Sequence, residues 1–358
     1  MPDFPWDLLV SHAERASAHP DGIVDLSVGT PVDHTPEVVQ EALRAAADAP
    51  GYPTTAGTPQ LRDAVVGWLD RRLGVKAVDP AAVLPTIGSK EFVAWLPTVL
   101  GLTGGDRVVV PELAYPTYAV GALLAGAEVV ATDSLLALGP APVALVWVNS
   151  PSNPTGRVLP AEHLAKVVAW ARERGAVVVS DECYAELAWT QRPISLLHPD
   201  VCGGSMEGLL AVHSLSKRSN LAGYRAGFVT GDPLLVKELL AVRKHAGMMV
   251  PAPVQQAMVA ALGDDKHVEE QRQRYGARRS VLLAALRGAG FAVSDSEAGL
   301  YLWASRGEDC WTSVGWLAER GVLVAPGAFY GAAGREHVRV ALTATDERVA
   351  AAGARLAG

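Results

Sequence analysis

The segment Ser214-Leu215-Ser216-Lys217, continuing through Arg218-Ser219-Asn220-Leu221-Ala222-Gly223-Tyr224-Arg225-Ala226-Gly227, constrains this chain more than any other. The apolar run Leu209 to Val212 leads into it, so Ser214 to Lys217 should lie at the carboxyl end of a buried strand. In open α/β sheets that edge is where ligands bind. The chain has seven lysines against twenty-four arginines, and a lysine held between small hydroxyl residues at a strand end is poorly explained as a solvated charge.

A primary amine in that position can condense with an aldehyde and later be displaced by a substrate amine, which is the chemistry of a lysine that carries pyridoxal phosphate. Ser214, Ser216 and Arg225 then read as hydroxyl donors and a fixed guanidinium suited to a phosphate dianion. The pattern S-x-S-K, with the arginine of G-x-R-x-G eight residues beyond the lysine, resembles the cofactor-lysine segment of the fold-type I, class I/II aminotransferases.

With 358 residues the chain can form two domains, or one large α/β domain with an appendage. A net charge of −7 argues against nucleic acid as the main partner, and the basic run Arg272 to Arg279 reads as a solvated helix face. Cys183, Cys202 and Cys310 are odd in number, far apart and without histidines at ligand spacing, which argues against a zinc site or a disulfide framework and suits a reducing cytoplasm. Met1 to Trp6 lacks the pattern of a signal peptide, and no apolar run reaches the ~20 residues of a membrane span. The expected location is cytoplasmic.

From residue 83 strands alternate with helices, the signature of a mostly parallel sheet with crossover helices. Strands are expected near 83–86, 107–110, 128–131, 144–148, 176–180, 209–214 and 226–230, with helices near 89–100, 116–125, 160–174 and 232–245. Before them come a helical stretch at 11–18, a strand-like run at 23–26 and a helix from Pro36, with proline at its entry, to about Ala47. Thr58 reads as the cap of a helix that aligns Leu61, Val65, Trp68 and Leu69 on one face. After helices at 253–262 and 264–287, strands at 292–294, 300–303, 323–325 and 338–341 around a helix near 311–320 read as a smaller α+β domain.

The other family motifs occur in the family's order. Tyr52 to Arg62 resembles Y-x-x-x-x-G-x-x-x-L-R, whose tyrosine implies contact with the cofactor phosphate of a neighbouring subunit; without the resemblance Tyr52 reads as a packed aromatic. Gly88, Ser89 and Lys90 open a helix after a strand, where backbone amides can cradle phosphate. Pro111 to Tyr118 resembles P-x-x-x-Y-P-x-Y, implying that Tyr115 stacks on the pyridine ring. Asn149-Ser150-Pro151-Ser152-Asn153-Pro154-Thr155-Gly156 matches N-x-P-x-N-P-T-G and assigns Asn153 to the cofactor's phenolic oxygen. Asp181-Glu182-Cys183-Tyr184 matches D-E-x-Y: Asp181 would keep the ring nitrogen protonated, and Tyr184 would donate to the phenolate. The turn Ala325 to Tyr330 resembles P-G-x-x-F. Beyond it, motif position selects Arg339, over Arg335 and Arg348, as the clamp on the substrate α-carboxylate, with Gly29 in the facing glycine loop.

The resemblance implies a fold-type I transferase with a large, mostly parallel seven-stranded sheet and a smaller α+β domain. Expected divisions are 1–31, an N-terminal segment joining the small domain; 32–246, the large cofactor-binding domain; and 247–358, the linking helix and small domain. It implies pyridoxal phosphate, ping-pong transamination with glutamate and 2-oxoglutarate, and a homodimer with shared active sites. Catalysis falls to Lys217, Asp181 and Tyr184. The stretches Asp3 to Asp7, Gly22 to Asp33 and Ala49 to Pro53 look like the actinobacterial succinyldiaminopimelate aminotransferases of lysine and diaminopimelate biosynthesis. The alternatives are an aminotransferase for aromatic or alanine-type keto acids, or a C–S lyase on the same fold.

Overall fold

The computed structural model describes residues 5–357, so Asp3 and Phe4 of the motif opening lie outside the described residues. Its strands are β1 (Val24–Asp25), β2 (Val83–Ile87), β3 (Arg107–Val110), β4 (Glu128–Ala131), β5 (Leu145–Asn149), β6 (Val177–Asp181), β7 (Leu209–Ser214), β8 (Ala226–Gly231), β9 (Ala292–Ser294), β10 (Tyr301–Ser305), β11 (Val322–Leu323), β12 (Ala325–Pro326) and β13 (Val338–Ala341). The large sheet runs β2-β8-β7-β6-β5-β3-β4, with β8 antiparallel to both neighbours and the remaining pairs parallel. Its inner strands β5, β7 and β8 are buried throughout, as strands covered on both faces must be.

One face packs on Val39, Leu61, Trp68, Leu164, Val168 and Met258, and the other on Phe92, Leu96, Tyr118 and Leu239. Register makes this sheet a site. Asn149 pairs with Asp181 and Asp181 with Val212, while Ser214 lies opposite Gly227 and Ile87 opposite Ala226. The carboxyl ends of β2, β5, β6 and β7 therefore meet the start of β8 along one edge. A second sheet, β12-β13-β10-β9, is antiparallel and packs with helix Lys266–Gly288 and helix Asp346–Ala357; β1 joins this region by pairing in parallel with β11. Among the described residues no helix is long and apolar enough to cross a membrane.

Most expected elements are present within a residue or two. Thr58 caps helix Pro59–Trp68 through Leu61 N–H (3.2 Å), with Leu61, Val65 and Trp68 buried along one face. Four readings change. Pro36 is the extended cap before helix Glu37–Ala45, outside the helix. The run at 323–325 divides into β11, parallel to β1, and β12, antiparallel to β13, because Val324 turns the chain from one sheet to the other. Helix Asp346–Ala357 adds an element that the pattern reading does not contain.

The fourth change concerns Arg272 to Arg279. Arg278 is buried and grips Asp33 through both terminal nitrogens (2.8 and 2.6 Å) and Asp346 through Nε (2.6 Å). Arg279 bonds the Ser296 backbone carbonyl (2.9 Å), while Arg272 pairs with Glu269 (2.7 Å). The helix face is thus a fastening for the segment that carries Gly29.

Arg278→Met should lower unfolding stability by on the order of 3 kcal/mol at pH 7, since it leaves the half-buried Asp33 carboxylate without its fork. For Asp33, burial alone raises the pKa, but hydrogen bonds from Arg278 and Gln271 outweigh it and depress the folded value. Its stabilisation is therefore present above the ordinary carboxylate pKa and lost as pH falls through the depressed one. Urea unfolding at pH 7 and in acid should find the gap between variant and wild type shrinking in acid; an equal gap at both would assign the loss to packing.

Candidate active site

Ser214 ends β7 and caps the single turn Leu215–Arg218, its Oγ accepting from Ser216 N–H (3.1 Å). That cap starts the turn at once and sets Lys217 over the edge of the sheet. Lys217 Nζ donates to the Gly29 carbonyl. Burial lowers the Lys217 ammonium below the ordinary lysine range, Arg339 and Arg225 push the same way, and Tyr301 and Cys183 oppose them. An amine among cations and out of water gives up its proton more easily.

The turn after β2 forms one wall. Gly88 has φ +72° and starts helix Gly88–Val99, and a Cβ there would lie 2.3 Å from Arg225 Nη2. Gly88 is thus required both by backbone and by a guanidinium that closes over the helix start. Arg225 itself is left-handed (φ 56°) and is steadied by the Ala222 carbonyl (2.7 Å). Ser89 is half-buried, Lys90 is exposed, and Ser216 is buried. Amides at a helix start, hydroxyls and a guanidinium form a donor set for a phosphate dianion.

Asp181 is buried at the end of β6 and accepts from Cys183 N–H (3.1 Å) and Tyr118 Oη–H (2.8 Å). Burial raises its pKa, and those donors pull the other way. Tyr118 is stacked on Trp147 (4.9 Å between centroids) and meets the half-buried Tyr115 edge-on (5.9 Å), so one aromatic column positions both Asp181 and Tyr115. Asn149, opposite Asp181, accepts from Asn153 N–H (2.7 Å) and donates to the Asp181 carbonyl (2.9 Å), fixing the Asn153 turn to the end of β6. Next to Asp181, burial lifts Glu182 to about 7 and drops His213 to about 3, while Glu182 accepts from Leu196 N–H (2.8 Å).

Arg339, on β13, is buried and donates to Asn153 Oδ1 (3.0 Å) and the Ser27 carbonyl (2.7 Å), and its buried Nε has no hydrogen-bond partner among the described residues. Its guanidinium lies over the rings of Tyr301 (3.9 Å) and Tyr330 (4.9 Å). Tyr184 and Tyr301 hydroxyls are 3.3 Å apart. Arg335 and Arg348 are exposed.

Lys217, Gly29, Asn153, Tyr184 and Arg339 thus join one connected cluster, with Asp181 and Tyr115 linked through Tyr118 and Gly88 through Arg225. Tyr52 stands apart: it is 98% exposed, which corrects its reading as a packed aromatic. Two site residues escape the sequence reading. Tyr118 closes a motif that assigns it no role, and Tyr301 has no motif at all. The one signal for Tyr301 is a tyrosine at the entry to a strand of the small domain.

The sequence profile described as Aminotransferase class I and II matches residues 21–356. The probable aminotransferase Rv1178 of Mycobacterium tuberculosis is 67% identical, covering 99% of this chain and 85% of that protein. The 4-dedimethylamino-4-oxo-anhydrotetracycline transaminase OxyQ of Streptomyces rimosus is 64% identical over 99% of both chains. A solved structure, the probable N-succinyldiaminopimelate aminotransferase of Thermus thermophilus, superposes with a TM-score of 0.89 at 28% identity over 99% of both chains.

Gly88→Ala should weaken uptake of pyridoxal phosphate at least tenfold, about 1.4 kcal/mol, with little change in far-ultraviolet circular dichroism. The cause is a methyl group at the Arg225 guanidinium on a left-handed backbone. Fluorescence titration of the apoprotein measures it, and an unchanged affinity would remove Gly88 from the phosphate cradle.

Proposed function

The chain belongs to the class I and II aminotransferases, which use pyridoxal phosphate, and from that premise we propose that it moves an amino group from glutamate to N-succinyl-2-amino-6-oxopimelate in diaminopimelate and lysine biosynthesis. The observation that carries the catalytic part is the part-buried Lys217 amine, its basicity lowered by burial and by the Arg339 and Arg225 guanidiniums. The acceptor rests on likeness to the Thermus thermophilus protein, whose name carries that substrate.

The residues fit the cofactor. Gly88, Ser89 and Lys90 at the helix start, with Ser214, Ser216 and Arg225, are the donors for its phosphate. A buried Asp181 carboxylate is costly unless paired, and a protonated ring nitrogen is its natural partner. Tyr115 offers a ring face, and Asn153 and Tyr184 offer donors to the phenolic oxygen. When bound, the cofactor supplies an electron sink that acidifies the substrate Cα–H.

Lys217, uncharged more readily than an ordinary lysine, would take the proton from the substrate Cα and return it two bonds away, on the far side of the shared nitrogen. Asp181 would hold a proton at the ring nitrogen of the bound cofactor. Arg339 would meet the α-carboxylate with a planar fork and an unengaged Nε, and the Gly29 loop would meet the same group through its backbone. Glutamate leaves its amino group and departs as 2-oxoglutarate before the acceptor enters.

OxyQ supports a second reading, an acceptor that is some other ketone, such as an aromatic or alanine-type keto acid or a bulkier one. Half-reaction spectra with glutamate, succinyldiaminopimelate, alanine and aromatic amino acids separate the two. Succinyldiaminopimelate should bleach the visible cofactor band at a rate comparable to glutamate; a band that responds to another donor and ignores succinyldiaminopimelate would reject the acceptor. Release of pyruvate and ammonia from cystathionine would indicate a C–S lyase.

The same reading takes residues 1–31 with the small domain, 32–246 as the large domain and 247–358 as linking helix and small domain, in a cytoplasmic homodimer. Tyr52, exposed on its own chain, serves the partner's phosphate site. Mixing Lys217→Ala with Tyr52→Ala chains at limiting cofactor should then give activity that neither parent has, because one site of the heterodimer collects both defects. Heterodimers seen by native mass spectrometry without restored activity would return Tyr52 to its own chain.

A further inference from the structure

Tyr301 is buried at the start of β10 and meets Gly29, Tyr184 and Arg339 of the cluster around the amine. Its hydroxyl packs so closely on Gly29 that a Cβ there would lie 2.2 Å from it, and Gly29 is the residue whose carbonyl receives Lys217. The same hydroxyl is 3.3 Å from that of Tyr184, and the ring is the platform for the Arg339 guanidinium at 3.9 Å. We propose that Tyr301 is a positioning residue with two separable duties: its hydroxyl orients the Tyr184 hydroxyl toward the cofactor's phenolic oxygen, and its ring fixes the Arg339 fork. This rests on the aminotransferase reading of the site and not on the identity of the acceptor.

The electrostatic surroundings support a special role for the hydroxyl. Burial alone would raise the Tyr301 pKa, but Arg339 of β13, Lys217 beyond β7 and the hydrogen bond with Tyr184 lower it, against a smaller opposing influence of Cys183. The phenols of Tyr115, Tyr275 and Tyr330 stand further round the same ring. Tyr184, with no such cations among its main influences, is pushed well above the ordinary range by burial and by Tyr301. The contact between the two hydroxyls can form with either one donating. When Tyr301 donates to the Tyr184 oxygen, the Tyr184 proton is free to point at the phenolic oxygen.

Two substitutions separate the duties. Tyr301→Phe keeps the ring and removes the hydroxyl; Tyr301→Leu removes both. A weaker donor at the phenolic oxygen leaves more negative charge beside the lysine-bound nitrogen, which then holds its proton to higher pH. In the cofactor-loaded Phe protein, the pH midpoint of the visible absorption should rise by about 0.5–1 unit, with the glutamate KM within about twofold of wild type. In the Leu protein the midpoint should rise similarly and KM should also increase by about tenfold. Gly29→Ala, whose Cβ would meet the same hydroxyl and the ring carbons behind it, should move the midpoint in the same direction and supplies the reading if the Phe protein does not fold. A midpoint unmoved in Tyr301→Phe, or in Gly29→Ala where that variant must serve, would overturn the orienting role. An unmoved KM in Tyr301→Leu would overturn the role of the ring.

Discussion

An amine withdrawn from water at the end of β7 is the constraint on which the rest of the structure depends. Burial lowers the basicity of Lys217, and two guanidiniums, those of Arg339 and Arg225, add to the effect. Such a concentration of positive charge is stable only with compensating groups, and the chain supplies aromatic faces and carbonyls in place of permanent anions. Arg339 lies between two tyrosine rings and donates to Asn153 and Ser27, and Arg225 donates to Ala222. The carboxylate nearest this region, Asp181, is itself buried and held by Tyr118 and Cys183.

Much of this is legible in the sequence because the site is built from strand ends. Each large-sheet motif follows an apolar run, and parallel strands place their carboxyl ends on one edge whatever the details of the intervening helices. Lys217, Asn153 and Asp181 can therefore be assigned to one place from local patterns. Arg339 needs more, since it comes from a different sheet, and only its motif position distinguishes it from Arg335 and Arg348.

What is not legible depends on contacts across long separations. Arg278 lies on a helix whose charged residues look solvated one by one, and its burial follows from Asp33, 245 positions earlier, reaching across to it. Tyr301 looks like a core aromatic until β10 is paired with β13 and the register sets Trp303 opposite Arg339. The division of 323–325 between two sheets has the same origin: Val322 pairs with Val24 while Ala325 pairs with Arg339, and no local propensity records that change of partner.

The reversed direction of β8 has a consequence for the loop that precedes it. Because Ser214 is registered opposite Gly227, the connection that carries Lys217 and Arg225 leaves and rejoins the sheet at facing positions of one ladder, so its two ends are held together by backbone hydrogen bonds. Arg218, Ser219 and Leu221 are buried and answer to their own packing, whereas Gly223 at the loop's tip is exposed. The loop is thus tied down at both ends and by three buried side chains between them, which leaves its exposed tip, with open space around Gly223, as the one part of it that tertiary packing does not hold.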